Sequence, residues 1–266
     1  MKFQQFIKQG YLILKQDFLK TLVESSELDI FNRNIVSFHS AMRSFFERPE
    51  QERKFFESGD YVFRSSGYRA GYWPQGIYKD IYEDKKFPIE YYLSRSLYSS
   101  DRDSFLVPEN NWNSESLPEI EKLPHNRGYD LALFIDSHII SPLVEELKNY
   151  LQANSRLDYI FDIASVYYRD KAMLNIHRDK AFIQSIVGPA SGLMIQPDGA
   201  TKPQEVLLDT GEILVYTGFQ FQEYVKRFGD IMKVKPLRHG VISDEDKRMS
   251  IVVAITINLR MKHFFG

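Results

Sequence analysis

Cysteine is absent from all 266 residues of the chain. This excludes disulfides, iron–sulfur clusters, thiolate zinc sites and a cysteine nucleophile, so a metal can be held only by imidazole, carboxylate, carbonyl or water. An excess of charge of either sign is also missing, since 34 Lys and Arg against 36 Asp and Glu leave a formal net charge of −2. No global field draws the chain to nucleic acid or to an anionic membrane face, and neither is expected as a partner. Lys226, Arg227, Lys233 and Lys235 read instead as charges on strand edges, a common guard against aggregation. Long apolar runs are lacking too. The longest, from Ile251 to Ile257, is far short of the ~20 residues that cross a bilayer. The first eight residues are broken by polar side chains and lack the apolar stretch of a signal peptide, so a cytoplasmic protein is expected.

What is present is ordinary globular material, 43% hydrophobic and 26% charged. The expected layout is one domain over 1–266, with a helical and loop region over 1–158 packed on a β core over 159–260. A short strand is expected at 10–14, helices at 17–27 and 29–46, and a further helix from Pro49, which suits a first helical turn and cannot continue the preceding helix. Residues 58–76 read as loop, and 129–152 as helix. From residue 160 the texture changes to short apolar runs separated by Gly, Pro, Asn and Asp, at 160–168, 173–177, 182–187, 193–196, 206–208, 213–216, 231–234 and 249–257. Such spacing indicates antiparallel pairing. The fold class is mainly β with flanking helices, a jelly-roll or cupin-like core under an N-terminal helical layer.

Six histidines are the candidate chemistry. His39 and His138 lie in helix candidates among apolar neighbours and read as packed or surface residues, while His125 and His263 read as solvated. His177 and Asp179 differ, because residues i and i+2 of an extended segment project to one face. They supply two of the three ligands of a 2-His-1-carboxylate triad, the donor set that leaves positions open on non-haem Fe(II). His239 follows at the end of another β segment. Beyond it, Arg248 and Ser250 again stand at i and i+2, a guanidinium beside a hydroxyl, as needed to grip the distal carboxylate of a dicarboxylate.

His177-x-Asp179, His239 and Arg248-x-Ser250, in this order, resemble the Fe(II)/2-oxoglutarate oxygenases, specifically the isopenicillin N synthase-like branch. Residues 9–14 resemble that branch's opening strand, residues 45–52 (Phe-Phe-Glu-Arg-Pro-Glu-Gln-Glu) its paired helices, and Ser66-Gly67-Tyr68 the loop that follows. The resemblance implies a double-stranded β-helix, iron held by His177, Asp179 and His239, and 2-oxoglutarate anchored by Arg248 and Ser250. Tyr168 takes the role of a further anchoring tyrosine, although Val166 stands where the branch has Asn. Fe(II), 2-oxoglutarate and O2 are the implied cofactor and cosubstrates. The implied activity is hydroxylation, desaturation or cyclisation of a small carboxylate-bearing metabolite, such as an amino acid, a peptide or a natural-product intermediate.

The run 67–73 offers aromatics and one guanidinium to such a substrate, which makes Arg69 its expected anchor and Tyr72 a second contact. Two alternatives stay open at this level. One is an iron oxidase of the same fold that retains Arg-x-Ser but uses no 2-oxoglutarate. The other is a non-catalytic ligand-binding barrel. The oligomeric state is open, and a monomer is compatible with everything above.

Overall fold

The computed structural model describes residues 3–54, 71–74, 89–98, 127–153, 157, 159–169, 173–229, 234–242 and 247–257. Helix α1 (Phe3–Gln9) leads into strand β1 (Tyr11–Leu14), then α2 (Gln16–Leu19), α3 (Ser25–Phe46) and α4 (Glu50–Lys54). Leu28, Phe31, Ile35, Phe38, Met42 and Phe45 recur at alternating steps of three and four, which puts them all on one buried face of α3. Each such side chain removed from water contributes about 1.5–3 kcal/mol. The helix stops at Glu47, two residues before Pro49, whose ring cannot be accommodated in a continuing helix.

Two strands follow where the sequence suggested only loop and helix, β2 (Gly71–Trp73) and β3 (Ile89–Tyr98). The opening residues of β3, Ile-Glu-Tyr-Tyr-Leu, carry no clean alternation, and its partner β4 (Tyr159–Tyr168) lies far along the chain. Its existence therefore depends on tertiary pairing rather than on local pattern. Helix α5 (Arg127–Ile135) runs through a π-helical turn (Asp136–Ile140) into α6 (Ser141–Leu151). Phe134 stacks on Phe31 at 3.9 Å between ring centroids, and His138 meets Glu27 at 2.7 Å, so this segment lies against α3.

The remaining strands are β5 (Leu174–His177), β6 (Ile183–Val187), β7 (Ala190–Gln196), β8 (Gln204–Leu208), β9 (Ile213–Thr217), β10 (Arg238–Val241) and β11 (Arg248–Ile257), with helix α7 (Phe219–Lys226) between β9 and β10. The strand expected at 231–234 falls mostly outside the described residues, and Val234 is not in a strand. Among the described residues pairing is antiparallel and makes two sheets, β1-β9-β6-β11-β4-β3-β2 and β5-β10-β7-β8.

Strand parity divides the core into layers. On β11, Ile251, Val253 and Ile255 join β4 residues Phe161 and Ile163 and the helical face of α3 in one hydrophobic cluster. The alternate positions face the small sheet. There Ile186, Leu214 and Tyr216 pack with Leu193, Ile195 and Val206, while Val166 and Tyr168 pack with Ile89 and Val241. The large sheet is thus covered by helices on one face and by the second sheet on the other. Side chains enclosed between the sheets are the ones placed to surround a ligand.

Candidate metal centre

His177 ends β5 and His239 sits in β10, and the register of the small sheet sets the two directly opposite one another. Their ring centroids are 4.5 Å apart. Such close approach of β10 to β5 requires Gly240, because a Cβ there would lie 2.5 Å from the Leu174 carbonyl oxygen. Asp179 lies just past the end of β5. Its backbone carbonyl accepts a hydrogen bond from the Phe219 N–H at 2.8 Å, in the first turn of α7. Gly218, immediately before, would bring a Cβ within 2.1 Å of the Ala181 carbonyl oxygen, so the entry to α7 and the Asp179 loop fit together only around glycine.

The three donor atoms lie within 4.8 Å of one another. Asp179 Oδ1 is 3.3 Å from His177 Nε2, and Oδ2 is 3.1 Å from His239 Nε2. Side-chain exposures of 19% and 21% for His177 and Asp179, against 6% for His239, give the cluster one wet side and one sealed side. His177 Nδ1 lies 2.8 Å from the Asn175 carbonyl oxygen, and that acceptor fixes the proton on Nδ1 and turns the Nε2 lone pair inward. Burial disfavours charge on Asp179, but His239 and His177 outweigh it and hold the carboxyl well below the usual carboxylate range. For His177, burial acts downward, yet hydrogen bonding to Asp179 prevails and leaves its pKa raised. Two imidazoles and one ionised carboxylate, with no thiolate, suit a divalent first-row ion such as Fe(II).

A second constellation lies between the same sheets. Arg248 opens β11, and its Nη1 donates to Ser250 Oγ at 2.7 Å while Nε donates to the Ser191 carbonyl. Nη2 is buried with no hydrogen-bond partner among the described residues. A guanidinium with two nitrogens engaged and the third unmet could take an anion, since an unsatisfied buried donor on a charged group is costly. Tyr168 closes one side, its ring 4.9 Å from the guanidinium carbon. Burial raises the Tyr168 pKa, with Arg248 and Ser250 pulling it the other way. The fork fits a carboxylate.

Solved structures share this arrangement of chain. A 2OG-Fe(II) oxygenase family protein of Caulobacter crescentus superposes with a TM-score of 0.61 at 15% identity, over 96% of this chain and 79% of that one. The chain has the fold of the 2-oxoglutarate/Fe(II) oxygenases. A Neurospora crassa protein, solved at full length in complex with 2-oxoglutarate and thymine, gives 0.57 at 13% identity, over 96% and 78%. The Arabidopsis thaliana dioxygenase for auxin oxidation, in a binary complex with 2-oxoglutarate, gives 0.55 at 13% identity, over 96% and 85%. No protein-family model and no curated protein matches the sequence. These oxygenase-fold neighbours do not single out the isopenicillin N synthase-like branch.

The fold brings five of the expected residues, His177, Asp179, His239, Arg248 and Ser250, between its two sheets, with Tyr168 beside them. It does not bring Tyr72 there. That side chain lies on the helical face, 1% exposed, between Phe45 and Tyr92, with its hydroxyl donating to Glu90 at 2.7 Å. Arg69 is outside the described residues. Sequence reading missed Tyr216 and Gln184, which the register of β6 and β9 sets side by side. The Tyr216 hydroxyl is 2.9 Å from Asp179 Oδ2 and 2.5 Å from Gln184 Oε1. A glutamine in a short strand with Ile183, Ile186 and Val187 is the available signal. Among the described residues no helix is long and apolar enough to cross a membrane.

Proposed function

We propose that the protein is an Fe(II)- and 2-oxoglutarate-dependent oxygenase that oxidises a small carboxylate-bearing metabolite. The observation that carries this reading is the unmet Nη2 donor of Arg248, buried between the sheets that also gather His177, Asp179 and His239. The metal cluster alone would serve an oxidase as well. A buried guanidinium with one donor unmet favours a cosubstrate with a distal carboxylate.

In this reading His177, Asp179 and His239 hold the iron, and Arg248, Ser250 and Tyr168 hold the C5 carboxylate of 2-oxoglutarate. Bound together, iron, 2-oxoglutarate and O2 supply the oxidising chemistry, with succinate and CO2 released. The chain's own contribution is orientation and dryness: Ile89, Val166 and Val241 wall the space near Arg248 with apolar surface. The substrate enters from the side where His177 and Asp179 are exposed. Arg69 is the proposed anchor of its carboxylate. Tyr72 is not part of the proposal, because Glu90 and Arg53 already occupy its hydroxyl. Small organic ligands in neighbours of this fold, thymine among them, are in keeping with a small-molecule substrate.

The test is optical. Anaerobic protein loaded with Fe(II) is titrated with 2-oxoglutarate, and a weak visible charge-transfer band is expected to develop in wild type and to be lost in His177→Ala. Iron uptake without any band would favour the oxidase alternative and sink the 2-oxoglutarate assignment.

A further inference from the structure

Tyr216 is 1% exposed, and its hydroxyl stands beside two side-chain oxygens and one imidazole nitrogen. Asp179 Oδ2 is at 2.9 Å, Gln184 Oε1 at 2.5 Å and His239 Nε2 at 3.3 Å. The phenol ring also tilts over the His239 imidazole, centroid to centroid 4.6 Å. A phenol has one proton and cannot donate to both oxygens. The carboxylate is charged and makes the stronger hydrogen bond, so the proton goes to Asp179. The Tyr216 oxygen then needs a donor, which Gln184 supplies when its carboxamide is turned by half a revolution to present NH2. The result is a directed chain, Gln184 N–H to Tyr216 oxygen and Tyr216 O–H to Asp179 Oδ2.

On the reading that His177, Asp179 and His239 bind a divalent metal, we infer that Tyr216 is a positioning residue, backed by Gln184, that ties up one oxygen of Asp179 and leaves the other to the metal. The structural reason lies in the register: Tyr216 and Gln184 are paired across β9 and β6, on the large sheet, whereas the two histidines stand on the small sheet. The tie therefore fixes Asp179, which lies on neither sheet, to the wall opposite the imidazoles. A carboxylate held at one oxygen binds with that orientation already set, and loss of such an outer contact weakens metal binding by roughly 10- to 100-fold.

The test uses Co(II) as probe, followed by its visible absorption, on the full-length protein. Tyr216→Phe keeps the buried ring and removes the hydroxyl. It is expected to weaken Co(II) binding by roughly 10-fold or more and to alter the absorption envelope, while the melting temperature of the metal-free protein changes little. Gln184→Leu, which does not touch the metal ligands, is expected to weaken binding less, and the double variant to lose no more than Tyr216→Phe alone. Wild-type Co(II) affinity and spectrum in Tyr216→Phe overturn the inference. A strong phenolate-to-metal band in the Fe(III) wild type, lost in Tyr216→Phe, also overturns it, since the phenol would then be a ligand. A wild type that takes up no Co(II) and no Fe(II) overturns the functional reading instead, and this inference falls with it.

Discussion

Arg248 illustrates how much a single side chain can decide. It is 3% exposed and carries a full charge, an arrangement that is unfavourable unless every donor is met. Ser250 and Ser191 meet two of its nitrogens, and the third, without a partner among the described residues, is the one proposed to meet the cosubstrate carboxylate. Arg248→Ala should weaken 2-oxoglutarate binding by roughly 100-fold, about 3 kcal/mol, while leaving Fe(II) affinity near wild type. Calorimetric titration of the anaerobic Fe(II) protein measures the first, and metal titration the second. Arg248→Lys should rescue little, because a single ammonium cannot serve Ser250, Ser191 and a carboxylate in one plane. Equal losses of iron and cosubstrate affinity would show that Arg248 supports the fold rather than the ligand.

At the scale of elements, the N-terminal helices are joined to the large sheet by a buried ionic cluster. Glu90 of β3 is 1% exposed and is flanked by Arg53 of α4, at 3.2 Å, by Arg169 just after β4, and by the Tyr72 hydroxyl. The same arginines also donate to the Phe46 carbonyl at the end of α3. One carboxylate thus neutralises part of two guanidinium charges that hold α3, α4 and the sheet together. Glu90→Gln leaves the arginines facing a neutral amide. Removing one partner of a buried ion pair costs about 3–5 kcal/mol, so the midpoint of urea unfolding should fall markedly. Metal affinity under native conditions should be retained, because this cluster lies on the helical face of the sheet. An unchanged unfolding midpoint would mean that water reaches the cluster and screens it.

For the whole molecule, a metal held at the proposed site would compete with the proton for His177. Burial acts to lower its pKa, but Asp179 outweighs burial and raises it above 6.5. In the metal-free protein, the charged His177–Asp179 pair contributes stability that is fully present below about pH 6.5 and is lost as pH rises through the raised value. Metal needs the neutral ring, so its binding runs the opposite way. The rise in melting temperature on adding Fe(II) or Co(II) should be small near about pH 6 and grow toward about pH 8. At a free metal concentration of 100 times Kd the gain is about 2.7 kcal/mol. Scanning calorimetry across that range checks the sign, and a metal-induced rise that shrinks with pH would contradict it.

The residue order along the chain determined the donor set. His177, Asp179, His239, Arg248 and Ser250 are legible because their chemistry is unusual beside short apolar strands, and alternation sets Arg248 and Ser250 on one face of β11, whereas Asp179 lies past the end of β5 and is brought to the histidines by the loop that follows it. The helical stripe of α3 is legible for a similar reason, its period being local. Tertiary structure decided what local pattern does not encode. Strands β2 and β3 exist through pairing with β4, a contact distant in sequence. The face on which Tyr72 lies is set by sheet parity, which sends it to Glu90 and away from the metal ligands. Tyr216 and Gln184 gain their role only when β6 and β9 align in register, since neither residue type by itself signals a metal. A one-residue slip in either strand would turn its residue to the helical face.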